Sequence, residues 1–152
     1  MLVTGFFHAG ITIADMDRSL RFYRDGLGLK IYFDKLLDAE YLFRELDLKF
    51  DNIRAVYLEI PGGGYIELLE YRGIERLSAA CRPCDYGSGH LCLYVTEIAD
   101  LVDRLVALGG SMRSHGIVDI TSGPNEGAQS VYLRDPDGYS VELFVKPGAN
   151  ES

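Results

Sequence analysis

Four side chains in this sequence are of the types that hold a divalent metal: His8, Glu67, His90 and Glu142. Imidazole nitrogen and carboxylate oxygen suit Ni, Co, Zn, Mn or Fe, and two of each leave room for water or a substrate oxygen on a hexacoordinate ion. Ile66 and Leu68 flank Glu67, Val141 and Leu143 flank Glu142, and Leu91 follows His90. Along a strand side chains alternate faces, so a polar group between apolar neighbours points away from the face those neighbours bury. Two carboxylates shielded from water are costly unless something neutralises them, and a cation does this directly. Read singly, a strand His or Glu is more often solvated or hydrogen-bonded than ligated. Their recurrence in pairs argues for a shared partner.

The elements that must position these residues occur twice. The segment from His8 to Met16 reads like the segment from His90 to Ile98, each a strand with apolar residues at alternate positions: Ala9, Ile11 and Ile13 in one, Leu91, Leu93 and Val95 in the other. A helix follows each strand. Asp15 is placed to cap Met16 to Asp25, and Thr96 to cap Ile98 to Leu108. Glycines stop both, Gly26 and Gly28 in the first copy and Gly109-Gly110 in the second. Further strands are expected over Leu29 to Phe33, Arg54 to Ile60, Ile117 to Ile120 and Ser130 to Leu133. Each copy closes on a turn and strand carrying one carboxylate, from Gly64 through Glu67 and from Gly138 through Glu142. The pattern is βαβββ used twice, an α+β fold. One feature breaks the symmetry: Leu36 to Leu46 is rich in helix formers and reads as an extra helix, either a cover over the site or a helix on the outside of the sheet.

With 152 residues, 47% hydrophobic and 25% charged, the chain has the size and composition of a single domain. Residues 1–147 are read as that domain, with modules at about 5–72 and 87–146 joined by a connector near Tyr71 to Ser88, and 148–152 as a loose tail. A net charge of -8 offers nothing to a phosphate backbone, which sets nucleic acid aside. No run of about 18 apolar residues is present to span a bilayer, and the N-terminus lacks the pattern of an export signal, so a cytoplasmic location is expected. The cysteines, three in number, are expected to be reduced. Cys81 and Cys84 form a C-x-x-C, but in a Pro- and Gly-containing connector without two further zinc ligands.

The chain resembles the vicinal oxygen chelate superfamily, which includes glyoxalase I, methylmalonyl-CoA epimerase, extradiol dioxygenases and bleomycin resistance proteins. The resemblance runs from about His8 to Val145. It rests on His8, on Asp15 through Arg18 to Gly28-Leu29, on Ile66-Glu67-Leu68-Leu69-Glu70-Tyr71, on Gly89-His90, and on Asp135-Pro136-Asp137-Gly138 leading to Glu142. It implies paired βαβββ modules forming a curved mixed sheet around a metal cleft, one divalent metal per site, and homodimers acting on a small-molecule substrate. The four-ligand lyases and isomerases take one ligand from the first and last strand of each module, here His8, Glu67, His90 and Glu142.

Within that resemblance the expected activity is a metal-dependent lyase or isomerase on a small carbonyl or hydroxycarbonyl compound, working by proton abstraction and a metal-stabilised enediolate. Glu67 or Glu142 is the expected base, with Glu67 favoured, and Tyr132 a further catalytic candidate. Tyr65, Tyr94 and Cys92 are possible lining residues, and Gly123 to Gly127 is either a flap or an ordinary connection. Extradiol dioxygenases, the alternative with Fe(II), leave open the position that Glu67 fills and use an acid/base histidine absent here, since no His lies between His8 and His90. Tyr132 and His115 match residues of that group. Bacterial glyoxalase I holds glutathione with an arginine and an asparagine where this chain has Thr12 and Tyr71. The epimerase resembles Ile66 to Glu70 but usually carries glutamine at the Glu67 position. A metal-free ligand-binding protein of the resistance type is the remaining alternative.

Overall fold

In a computed structural model the described residues are 2–79 and 81–148. The chain divides into two compact units, Met1–Ser78 and Ala79–Ser152. The architecture is α+β, with one open mixed sheet in each unit.

The first unit begins with strand β1 (His8–Thr12) and helix α1 (Met16–Leu20), which runs on as a π-helical turn over Arg21–Gly26. Then come β2 (Lys30–Leu37), α2 (Glu40–Leu46), β3 (Asn52–Glu59) and β4 (Tyr65–Arg72). The sheet order is β1-β4-β3-β2, with β1 parallel to β4 and the other pairs antiparallel. Alternation sorts its faces as expected. Ile11 and Leu68, Val56 and Leu68, and Leu58 and Ile66 are register partners, and all are buried along with Met16, Phe22 and Tyr23 of the helical segment. Glu70 lies on this face too. Its Oε2 accepts a hydrogen bond from the Met16 amide at 2.7 Å, which fixes the helix N-terminus to β4 beside the Asp15 cap on the Arg18 amide.

The opposite face presents His8, Gly10, Tyr57, Tyr65 and Glu67, and at its far end Ile53, Leu69 and Tyr71. Helix α2 packs there. Leu42, Phe50 and Ile53 form a buried cluster with Leu37, Phe43, Leu69, Tyr71 and Ile74. The extra helix of the first module therefore lies on the Glu67 side of the sheet. It is shorter than the Leu36 to Leu46 expectation because Leu36 and Leu37 pair with Arg54 and Ile53 as the end of β2. Strand pairing overrides helix propensity in those residues.

The second unit contains β5 (His90–Tyr94), α3 (Ile98–Ala107), β6 (Ser111–Met112), β7 (Val118–Asp119), β8 (Gln129–Arg134) and β9 (Ser140–Val145). Its order is β5-β9-β8-β6, with β7 also on β8, so two short strands occupy the place held by β2 in the first unit. Val131, Leu133, Val141 and Leu143 bury one face, and Ile98, Val102 and Leu105 of α3 are buried with them. Thr96 does not cap α3. The N-cap is Glu97, in the left-handed region at φ 50° and without a side-chain cap. The turn before β9 is built by Asp135, whose Oδ1 accepts from the amides of Asp137 and Tyr139 at 2.9 and 2.8 Å, with Gly138 supplying the positive φ of 92°. Of the tail at 148–152, all but Gly148 lies outside the described residues.

Candidate functional site

In the first unit the parallel register sets His8 against Tyr65 and Gly10 against Glu67. His8 Nε2 then lies 3.1 Å from Glu67 Oε2. Directly across the antiparallel pair from Glu67 stands Tyr57, whose hydroxyl is hydrogen-bonded to the carboxylate. Burial pushes the Tyr57 hydroxyl up to about 12, with the bond to Glu67 and its charge adding to the shift. Smaller contributions come from Tyr41 and Glu45, which bring α2 to the edge of this group. Aromatic rings hold His8 in place: Phe7 lies edge-on at 4.6 Å between centroids and Tyr57 at 5.6 Å. Its Nδ1 is buried without a hydrogen-bond partner.

The second unit repeats this arrangement. His90 Nε2 is 3.2 Å from Glu142 Oε2, and Tyr132, the register partner of Glu142, donates its hydroxyl to that same oxygen at 2.9 Å. The Tyr132 oxygen is also 3.1 Å from His90 Nε2. Two more donors reach Glu142: Ser130 Oγ at 2.8 Å from Oε1, and the thiol of Cys92, its register partner on β5. Burial would raise the carboxyl of Glu142, but the bonds from Ser130, Tyr132 and Cys92, together with His90, outweigh it and hold Glu142 below the usual carboxylate range. Tyr132 is pushed up to about 12 by burial and by Glu142. Cys92 also rises to about 12, from partial burial of the thiol and then from the charge of Glu142.

A cavity of about 250 Å³ opens beside Glu142, lined by Cys92, Tyr94, Asn125 and Phe144. Asn125 brings the Gly123 to Gly127 loop to it. Tyr94 is largely exposed, with Lys146 Nζ over its ring at 4.2 Å. His115 is exposed between β6 and β7. Cys81 and Cys84 are free and exposed.

The structure thus brings His8 to Glu67 and His90 to Glu142. Among the described residues no three His, Cys, Asp or Glu side chains are arranged to hold a metal by themselves. Within each pair the donor atoms fit a metal. Adjacent ligands about 2.1 Å from one ion lie roughly 3 Å apart when they subtend a right angle, and the two Nε2 to Oε2 distances are 3.1 and 3.2 Å. Both glutamates offer carboxyl oxygens in side chains only 14% exposed.

Tyr57 has no place in the sequence-based reading of the site, although a signal for it exists. It stands ten residues before Glu67, as Tyr132 stands ten before Glu142. In each unit that spacing spans the hairpin and sets the tyrosine opposite the glutamate.

A family model described as Glyoxalase/Bleomycin resistance protein/Dioxygenase superfamily matches residues 5–143. A 2-epi-5-epi-valiolone epimerase from an Actinomyces species is 27% identical over 143 residues, covering 92% of this chain and 78% of that protein. A probable chloroplastic lactoylglutathione lyase of Arabidopsis thaliana is 28% identical over 141 residues, which is 91% of this chain and 35% of that protein. The chain therefore spans about a third of the plant relative. Among solved structures, a glyoxalase family protein from Bacillus cereus superposes with a TM-score of 0.79 over 97% of this chain and 96% of that one, at 18% identity. That likeness is one of fold.

Proposed function

From a chain that belongs to the Glyoxalase/Bleomycin resistance protein/Dioxygenase superfamily, we propose a metal-dependent lyase or isomerase acting on a small carbonyl or hydroxycarbonyl compound. His8, Glu67, His90 and Glu142 are its metal ligands, Glu67 its base, and a homodimer its assembly. The observation that carries this reading is the repeated trio of His, Glu and Tyr, with an imidazole nitrogen 3.1 or 3.2 Å from a carboxylate oxygen in each unit. The superfamily relatives named as an epimerase and a lyase support the reaction class.

A divalent ion held by these residues supplies Lewis-acid stabilisation of the negative charge that develops on a substrate oxygen. Glu67 takes the proton from the carbon beside the substrate carbonyl. The C–H electron pair becomes a C=C bond as the carbonyl π pair moves to oxygen. In a hydroxycarbonyl substrate the protonated Glu67 then returns its proton to the neighbouring carbon while the hydroxyl proton passes to the other oxygen, so that carbonyl and hydroxyl exchange places. The tyrosines serve as donors. With hydroxyls pushed up to about 12, Tyr57 and Tyr132 keep their protons at neutral pH and hold the carboxylates by hydrogen bonds.

The glutamate at position 67 argues against a three-ligand dioxygenase, whose open position it fills. Elemental analysis of the purified protein beside His8→Ala and Glu67→Ala variants tests the assignment. About one Ni, Co, Zn or Mn per chain, lost in either variant, is expected for a four-ligand site. Iron retained by Glu67→Ala would move the assignment to a dioxygenase, and no metal after reconstitution would leave a ligand-binding protein.

A further inference from the structure

The two carboxylates are not equivalent, and two pairs of matching positions account for the difference. On the first strand of each module, two residues after the histidine, the first unit has Gly10 and the second Cys92; each is the register partner of its glutamate. On the strand carrying the tyrosine, two residues before it, the first unit has Ala55 and the second Ser130, paired with Leu69 and Phe144 respectively. In the second unit both positions carry donors that reach the carboxylate. In the first, neither does. A Cβ placed on Gly10 would lie 3.1 Å from Glu67 Oε2, so the space beside that oxygen is open only because position 10 has no side chain. Glu67 has His8 and Tyr57 as partners, whereas Glu142 has His90, Tyr132, Ser130 and Cys92.

We propose that Ser130 and Cys92 are positioning residues that fix the Glu142 carboxylate as a stationary group, while Gly10 and Ala55 leave Glu67 with two fewer donors and so freer to swing than Glu142. The inference rests on the reading of both glutamates as ligands only for its consequence: the carboxylate that leaves its place to take a proton is Glu67, and Glu142 stays as anchor. The fixation itself is a property of the second unit without metal. Ser130 Oγ binds Oε1 while Tyr132 binds Oε2, so rotation about the carboxylate breaks one bond or the other. Such partners around a ligand typically contribute tenfold or more to metal affinity.

The test has two arms that fail separately. In metal-free protein, a double-mutant cycle of Ser130→Ala and Glu142→Gln is followed by urea unfolding. The shift in midpoint caused by Ser130→Ala is expected to shrink markedly when Glu142 is already Gln; additive shifts would overturn the proposal. The second arm is Co(II) titration by competition with a chromophoric chelator. Ser130→Ala is expected to bind Co(II) about tenfold more weakly than the native protein, and Ser130→Thr, which keeps the hydroxyl, to restore affinity. Unchanged affinity in Ser130→Ala would overturn the anchoring role. Coupling in the first arm with no Co(II) bound by the native protein would uphold the clamp on Glu142 and remove the metal reading instead.

Discussion

Burial first, and then the charge of Glu142 across the strand, push the Cys92 thiol up to about 12. It is therefore a donor and a poor nucleophile, because the thiolate is the reactive form. All three cysteines are exposed and outside disulfides, but only Cys92 stands opposite a carboxylate as a register partner. Brief alkylation with iodoacetamide at pH 8, read by peptide mass spectrometry, should therefore modify Cys81 and Cys84 well before Cys92. Equal labelling of all three would contradict the Cys92 to Glu142 hydrogen bond. In Glu142→Gln the shielding charge is gone, and Cys92 labelling should rise severalfold while the other two stay unchanged. At this scale the sequence was half legible. Alternation between apolar neighbours was enough to aim His8, Glu67, His90 and Glu142 to one side of their strands. The tyrosine opposite each glutamate depends on hairpin register, and that depends on turn geometry not written in any single residue.

At the scale of elements, Arg54 ties three together. Its guanidinium donates to Asp34 on β2 at 2.9 and 3.1 Å and to Asp17 on α1 at 3.0 Å. The Arg54 bond holds the Asp34 carboxyl below its ordinary value. A depressed carboxyl stabilises the fold above the unfolded-state pKa, and the contribution is lost as pH falls through the lower folded value. Arg54→Met should thus shift the urea midpoint down at pH 7, and the difference from the native protein should fade in acid below the ordinary Asp range. Because these groups are partly solvated, the pH 7 shift should also shrink in high salt. The packing of α2 allows a second expectation. Leu42 fills a small cluster apart from the main apolar face, and Leu42→Ala should cost about 2 kcal/mol, with hydrogen exchange in α2 rising more than in β4. The helix-forming run announced an extra helix there. It did not say which face of the sheet the helix would cover, since both faces of β3 and β4 offer apolar residues: Val56 and Leu68 on one, Ile53 and Leu69 on the other.

For the whole molecule, the repeat was the most legible feature, because each module must bury its own strand and helix before anything can bind. Each unit nevertheless brings two ligand candidates of its own, a histidine and a glutamate, and the proposed metal requires donors from both modules. Binding to the folded chain alone adds stability by linkage: at free metal about a hundred times Kd the gain is about 2.7 kcal/mol. For a chain of 152 residues this corresponds to roughly 5 to 10 °C in Tm. Co(II) added to metal-free protein should raise Tm by that amount, and a chelator should reverse it. If the two pairs serve the same ion, His8→Ala and His90→Ala should each abolish most of the rise, since either leaves the ion with fewer donors than it needs. A rise that survives either change intact would mean that the altered pair is not needed by the bound ion, and the four-ligand assignment would fall.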